Sequence, residues 1–273
     1  MGHRCGTTCK RKNNIACGTC GTAGKNSAPK PKRGRPHGSM SVEPRVMGAA
    51  VDMYFDGLSY RRVADNIGEY FESPTNATTV YRWVNRLASK ADSIARETRA
   101  HTGDEWVADE LQVTVGGKKY WLFNVMDADT RFLLAAYLSP YRTTRAAATV
   151  LAMARERSNN APKEIKTDGL RSYREAVKTA FPLHPVKHVV SQGIRAEINN
   201  NLSERLQGTL RDRDKTLRAM KRRETGQAYI DGLVLHYNNF RPHEALKGKR
   251  PAELAGAELP FNSWLDVANY PDI

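Results

Sequence analysis

Three carboxylates, Asp109, Asp168 and Glu204, carry the clearest chemistry in this sequence. Phosphoryl transfer assisted by two divalent cations, Mg²⁺ or Mn²⁺, needs oxygen ligands that hold the ions about 3.5–4 Å apart. One ion activates an attacking water or 3′-hydroxyl, and the other stabilises the leaving oxygen. Asp109 falls in an apolar alternation, where a bare carboxylate is costly unless a cation neutralises it. Asp168 precedes Gly169, which lets backbone or ligand approach closely. Glu204 opens a basic helical stretch within Asn199–Lys215.

Other groups compete for these roles. Asp127 and Asp129 fall in a turn, where Asp serves conformation. Glu110 alternates away from Asp109 and is expected in solvent. Glu197 precedes a polar Asn run, and Asp212 and Asp214 are interleaved with Arg211, Arg213 and Lys215, so Glu204 is the preferred third ligand. His243 reads as structural, because a metal-activated water needs no His. Ser203 and Tyr173 would suit covalent protein–DNA chemistry, but no basic constellation surrounds either.

The elements that must position these acids follow from periodicity. Glu105–Val115 alternates as a strand, with Val107, Asp109, Leu111, Val113 and Val115 on one side. Gly116-Gly117 turns the chain into a second strand, Lys118–Met126, and a third is expected over Arg131–Leu138. An alanine-rich helix over Thr143–Arg157 leads to a short strand, Lys163–Thr167, ending at Asp168. A helix over Ser172–Phe181 and a strand over His184–Val190 precede the helix of Glu204. The order β-β-β-α-β-α-β-α is that of an RNase H-like α/β fold with a mixed five-stranded sheet. Gly208, Arg211, Lys215, Arg218 and Arg222 share the helical face of Glu204, and Leu206, Leu210 and Leu217 mark an apolar side. Arg211, Lys215 and Arg218 are therefore expected to hold nucleic-acid phosphates.

Upstream, residues 41–100 read as an all-α helix-turn-helix domain with a helical linker. One helix covers Pro44–Phe55, Ser59 caps a second over Tyr60–Ile67, and Ala77-Thr78-Thr79 opens a third over Val80–Ala88. Val80, Trp83, Val84 and Leu87 form its apolar stripe. Thr78, Thr79, Tyr81, Arg82 and Asn85 lie off that stripe and suit a recognition helix in the DNA major groove.

Residues 1–40 form a basic arm with nine Lys or Arg and no acid. Cys5, Cys9, Cys17 and Cys20 lie there, and four thiolates in so short a window suit tetrahedral Zn²⁺. Arg33-Gly34-Arg35-Pro36 has the core of an AT-hook, in which an extended Arg-Gly-Arg fits the narrow minor groove of A·T-rich DNA. Arg33 and Arg35 are the expected contacts.

The whole chain of 273 residues carries a net charge of +14 and 40% hydrophobic residues. That suits a real core plus smaller modules and a polyanionic partner. No run of 18 apolar residues exists, so no membrane span or membrane partner is expected. The polar, basic start lacks the apolar region of a secretory signal, which favours an intracellular protein.

Several segments together resemble the DDE transposases, those of insertion sequence family six most of all, with the retroviral integrase core as a more distant relative. Trp106-Val107-Ala108-Asp109-Glu110, followed by Gly117-Lys118-Lys119-Tyr120-Trp121-Leu122, is similar to the first catalytic segment. Lys166-Thr167-Asp168-Gly169 is similar to the second, and Asn200-Asn201-Leu202-Ser203-Glu204-Arg205 to the third. The 35 residues between Asp168 and Glu204 match the family's spacing. His236-Tyr237-Asn238-Asn239-Phe240-Arg241-Pro242-His243 and Lys249-Arg250-Pro251-Ala252-Glu253 resemble its closing segment. The sequence departs at Leu111, where Thr is commoner. The resemblance covers roughly residues 45–255. It implies a catalytic domain over 101–257 with a C-terminal tail over 258–273, and Asp109, Asp168 and Glu204 as metal ligands. It also implies DNA cleavage and strand transfer on double-stranded terminal repeats and target DNA, a homo-oligomer, and a place at the nucleoid of a prokaryotic cytoplasm.

Overall fold

The computed structural model describes residues 42–191, 201–212, 216 and 220–271, with only the backbone of 201–204. The expected zinc ligands Cys5, Cys9, Cys17 and Cys20, the AT-hook residues Arg33 and Arg35, and Lys215 and Arg218 lie outside the described residues.

The chain begins with α1 (Pro44–Phe55), α2 (Tyr60–Tyr70) and α3 (Ala77–Ala95). Ser59 and Asn76 start α2 and α3 as N-caps, their side chains accepting from the Arg62 and Thr79 amides at 3.2 and 2.9 Å. Val63, Ala64 and Ile67 of α2 and Val80, Trp83, Val84 and Leu87 of α3 are buried, as the apolar stripes require.

Next come β1 (Glu105–Val115), β2 (Lys118–Asp127) and β3 (Leu133–Ser139), then α4 (Thr144–Arg157), β4 (Glu164–Thr167), α5 (Ser172–Ala180), β5 (Lys187–Val190) and α6 (Asn201–Asp212). The expected order of strands and helices is the one present. The five strands form a mixed sheet in the order β3-β2-β1-β4-β5. β1 pairs antiparallel with β2 and parallel with β4, so it is a central strand. Gly116 and Gly117 make the β1–β2 turn with φ of +56° and +76°. A Cβ on Gly116 would stand 2.7 Å from the Lys221 carbonyl oxygen, so only glycine fits there.

Both faces of the sheet are covered. Trp106 and Ala108 face an apolar cluster with α4 and α5. Leu111, Val113 and Val115 face another that includes α1, α2, α3, Leu206 and Leu210 of α6, and α7 (Arg223–Asn239). The upstream helices and the sheet thus share one apolar cluster within a single compact unit spanning 42–273. A 3₁₀ turn (Glu244–Leu246) and α8 (Pro251–Leu254) follow. The C-terminal residues then fold back as α9 (Trp264–Asn269), where Trp264 stacks on Phe55 at 5.1 Å and donates to His236 Nδ1 at 3.1 Å.

Several expected boundaries move: α2 runs on to Tyr70 and α3 spans Ala77–Ala95. β3 starts at Leu133 rather than Arg131, because the Asp127 carboxylate accepts from the Gly103 and Thr130 amides at 2.8 Å each and extends the turn. β5 starts at Lys187 rather than His184, because His184–Val186 is a turn closed by a 2.9 Å bond, with Pro185 inside it. The helix of Glu204 does not continue to Arg222. Met220 is buried and non-helical, and Arg222 is the extended N-cap of α7 (φ −128°, ψ 149°). Arg222 therefore does not share the face of Glu204.

Candidate active site

The parallel pairing of β1 with β4 brings the first two acids together. Val107 pairs with Lys166, so two residues further along each strand Asp168 comes level with Asp109. Asp168 sits just past the end of β4. Its Oδ1 accepts from the Leu170 amide at 3.1 Å, and Gly169 turns the chain at φ +95°.

Asp109 is only 4% exposed. The Glu110 amide donates to its Oδ1 at 2.8 Å, and Gln207 Nε2 of α6 donates to its Oδ2 at 2.5 Å. Arg211, one turn further along α6, donates to Gln207 Oε1 at 3.2 Å. The buried Leu206 and Leu210 anchor α6 to the core, and Gln207 between them reaches β1. Glu204 lies on this helix one turn before Gln207, over the same strand. Its side chain, like that of Ser203, lies outside the described residues, as do Glu197 and Asp214.

Glu110 departs from expectation. Its side chain is fully buried rather than solvated, paired through Oε1 with Arg142 Nε at 2.8 Å and with Nη2. Alternation along β1 does turn Glu110 away from Asp109's face. In a central strand of a covered sheet, however, that face is also core. One carboxylate oxygen from each of Asp109, Glu110 and Asp168 lies within 4.8 Å of the others. Burial above all raises the Glu110 pKa; Asp168 and Asp109 add to the shift, and Arg142 opposes it. Glu110 Oε2 is buried without a hydrogen bond among the described residues. Tyr173 is wholly buried beside it, and its hydroxyl is pushed well above the usual range, first by burial and then by the Glu110 and Asp109 charges. So buried a hydroxyl does not serve as a nucleophile toward a bound polymer.

Two full charges at the limit of that spacing repel by about 3–4 kcal/mol at an effective dielectric of 20. Arg142, whose Nη2 also lies 3.9 Å from Asp168 Oδ2, is the cation that pairs with this group among the described residues. An all-oxygen donor set with excess negative charge and an orphaned buried oxygen fits a hard divalent cation such as Mg²⁺ or Mn²⁺.

Asp127 and His243 make structural contacts. Asp127 is fully buried and spends its oxygens on the turn. Asp212 is exposed at the end of α6. His243 Nε2 meets the Tyr237 carbonyl oxygen at 3.1 Å, and burial lowers its pKa. Of the expected DNA contacts on α3, Thr78, Tyr81 and Arg82 are exposed, while Thr79 and Asn85 are partly buried, Asn85 donating to the Tyr81 carbonyl at 2.7 Å. Arg211 is exposed on α6.

Sequence reasoning missed Glu110, Arg142 and Gln207. Gln207 carried a signal, since it lies three residues after Glu204 on the same helical face. Arg142 carried none, because it comes from the loop after β3 and meets Glu110 only through the tertiary fold.

Comparisons with known proteins bear on the same region. A family model described as a DDE domain, of the IS240 transposase type, matches residues 103–243. No curated protein matches the chain. Among solved structures, the HTLV-2 integrase catalytic core domain in complex with magnesium is similar in two forms. The dimeric form is 16% identical with a TM-score of 0.42, covering 56% of this chain and 94% of that one. The trimeric form is 17% identical with a TM-score of 0.42, covering 57% and 99%. A simian T-cell lymphotropic virus intasome in complex with PP2A regulatory subunit B56 gamma is 14% identical with a TM-score of 0.36, covering 74% and 67%.

Proposed function

Because the chain belongs to the DDE-domain transposases of insertion sequence family six, we propose that it cleaves DNA at the ends of a mobile element and joins the freed 3′-hydroxyl to target DNA. The observation that carries this reading is the convergence of the Asp109 and Asp168 carboxylates beneath the helix that bears Glu204. Asp109, Asp168 and Glu204 would hold Mg²⁺ or Mn²⁺ ions, which supply Lewis-acid activation of the attacking oxygen and neutralise charge on the leaving one.

The chain's own residues prepare the site. The Glu110 amide and the Gln207 side chain fix both oxygens of Asp109, and so set which lone pairs face the cleft. Arg211 fixes Gln207 in turn. Such outer contacts raise the order of a ligand set before any ion arrives. Gly169 keeps the backbone beside Asp168 free of a Cβ, which would press on Val190 at 3.0 Å.

DNA delivery falls to the basic surface. α2 and α3 act as a helix-turn-helix, with Thr78, Thr79, Tyr81, Arg82 and Asn85 facing the terminal repeat. Arg211, with Lys215 and Arg218 beyond it, holds phosphates near the cut. Two DNA ends must be brought together, so the working form is a homo-oligomer. No helix among the described residues is long and apolar enough to cross a membrane, and the enzyme acts on the nucleoid in the prokaryotic cytoplasm.

Strand transfer of a labelled oligonucleotide end with Mn²⁺, by wild type and Glu204→Gln, tests this reading. Wild type should cut and join, and the variant should do neither. Equal joining by the variant removes Glu204 from the site. Cutting without joining identifies a nuclease, and binding alone a DNA-binding regulator.

A further inference from the structure

The geometry points to Arg142 as a phosphate-binding residue of this site, held in place by Glu110 and Trp121. The inference rests on the DNA-cleaving reading above and adds a residue that neither the acidic motif nor the basic helix supplies.

Three observations carry it. First, Glu110 is a fully buried carboxylate whose Oε1 takes two donors, Nε and Nη2, from the one guanidinium. A counter-ion needed only to neutralise a buried acid would be buried with it. The Arg142 side chain is instead 39% exposed. Second, the guanidinium carbon lies 4.7 Å from the ring centre of Trp121, within reach of a cation–π contact. With both Glu110 and Trp121 engaged, little side-chain freedom remains to be lost on binding a ligand. Third, Nη2 stands 3.9 Å from Asp168 Oδ2, so the head lies at the rim of the acidic cluster. Nη1 makes no hydrogen bond among the described residues. A planar cation with free donors beside metal-ligating acids is suited to an oxyanion of DNA.

Charge sets the order of binding. Asp109, Glu110, Asp168 and Arg142 together carry about −2 when ionised, so a phosphate enters only after divalent cations bind. With divalent cations held by the acids, Arg142 would be left with Nη1 free to meet a phosphate. Glu110 is then a positioning residue, acting through Arg142.

Truncating Arg142 alone would leave Glu110 buried without a counter-charge. The test therefore uses the double variant Glu110→Gln/Arg142→Gln, which removes both charges of the pair, and Arg142→Lys, which keeps the cation but loses the fork. Binding of a short duplex with a free 3′-hydroxyl end is measured in Ca²⁺ across a salt series, after thermal unfolding has established that each variant is folded. The double variant should lower the slope of log K against log salt by about 0.9, the loss of one phosphate contact. Arg142→Lys should keep the wild-type slope. In Mn²⁺, the double variant should cleave about 10²-fold more slowly. A wild-type slope in the double variant, or in Arg142→Lys a slope as low as the double variant's, overturns the inference. Binding alone decides that point. Absence of cleavage by wild type would instead count against the proposed reaction, so the two failures are distinguishable.

Discussion

Glu110 and Asp231 are both carboxylates that burial pushes toward the neutral form, and they meet that pressure differently. Glu110 keeps a guanidinium beside it. Asp231, on α7, accepts from the Gln227 side-chain amide at 2.8 Å with Arg96 further off, and its pKa rises to about 6, mainly from burial. The folded state therefore holds the Asp231 proton more tightly than the unfolded chain does. That contribution to stability is fully present below pH 3.8 and is lost as pH rises through about 6. Asp231→Asn should remove this part of the pH dependence and raise stability at pH 7 by up to about 3 kcal/mol. Denaturant unfolding at several pH values checks it; equal pH profiles in the two proteins would contradict the assignment. At the same scale, burial of the Tyr173 hydroxyl adds a second reason, beside the missing basic constellation, against Tyr173 as a covalent nucleophile.

The elements matter through where they place single side chains. α6 delivers Gln207 to Asp109, so Gln207→Ala should weaken Mn²⁺ binding about 10- to 100-fold with little loss of fold stability. Calorimetric titration of the metal separates this from a general loss of structure. At the β1–β2 turn, Gly116→Ala should destabilise by about 1–3 kcal/mol, read by denaturant unfolding, because φ is +56° and the Lys221 carbonyl oxygen blocks the Cβ. β1 itself marks how far sequence carries. Its boundaries, its alternation and the turn after it were legible, because period-2 patterning and Gly-Gly are local signals. The placement of Glu110 was not, because alternation gives the face of a strand but not whether that face meets solvent or a second layer of helices. Likewise Asp109 and Asp168 could be chosen by type and position. Their juxtaposition depends on a parallel β1–β4 register, which is a long-range fact. The expected continuous basic helix failed for a similar reason: Met220 breaks the run by packing into the core, which helical periodicity alone does not reveal.

Across residues 42–273, the upstream helices, the sheet and the C-terminal α9 share an apolar cluster. Phe55 of α1 stacks on Trp264 of α9, and both are buried. Trp264→Ala should therefore cost about 3–5 kcal/mol, visible as a lowered thermal midpoint although the residue lies far along the chain from the acids. A basic molecule with net charge +14 gathers three acids where central strand β1 runs beside the end of β4. In the proposed function these acids bind divalent cations for DNA chemistry. Calorimetric titration of Mn²⁺ into wild type and Asp109→Asn is the most direct test of that claim. Wild type should bind the ion saturably, and Asp109→Asn should bind it at least ten-fold more weakly. Equal affinity and stoichiometry in the two proteins would contradict the account.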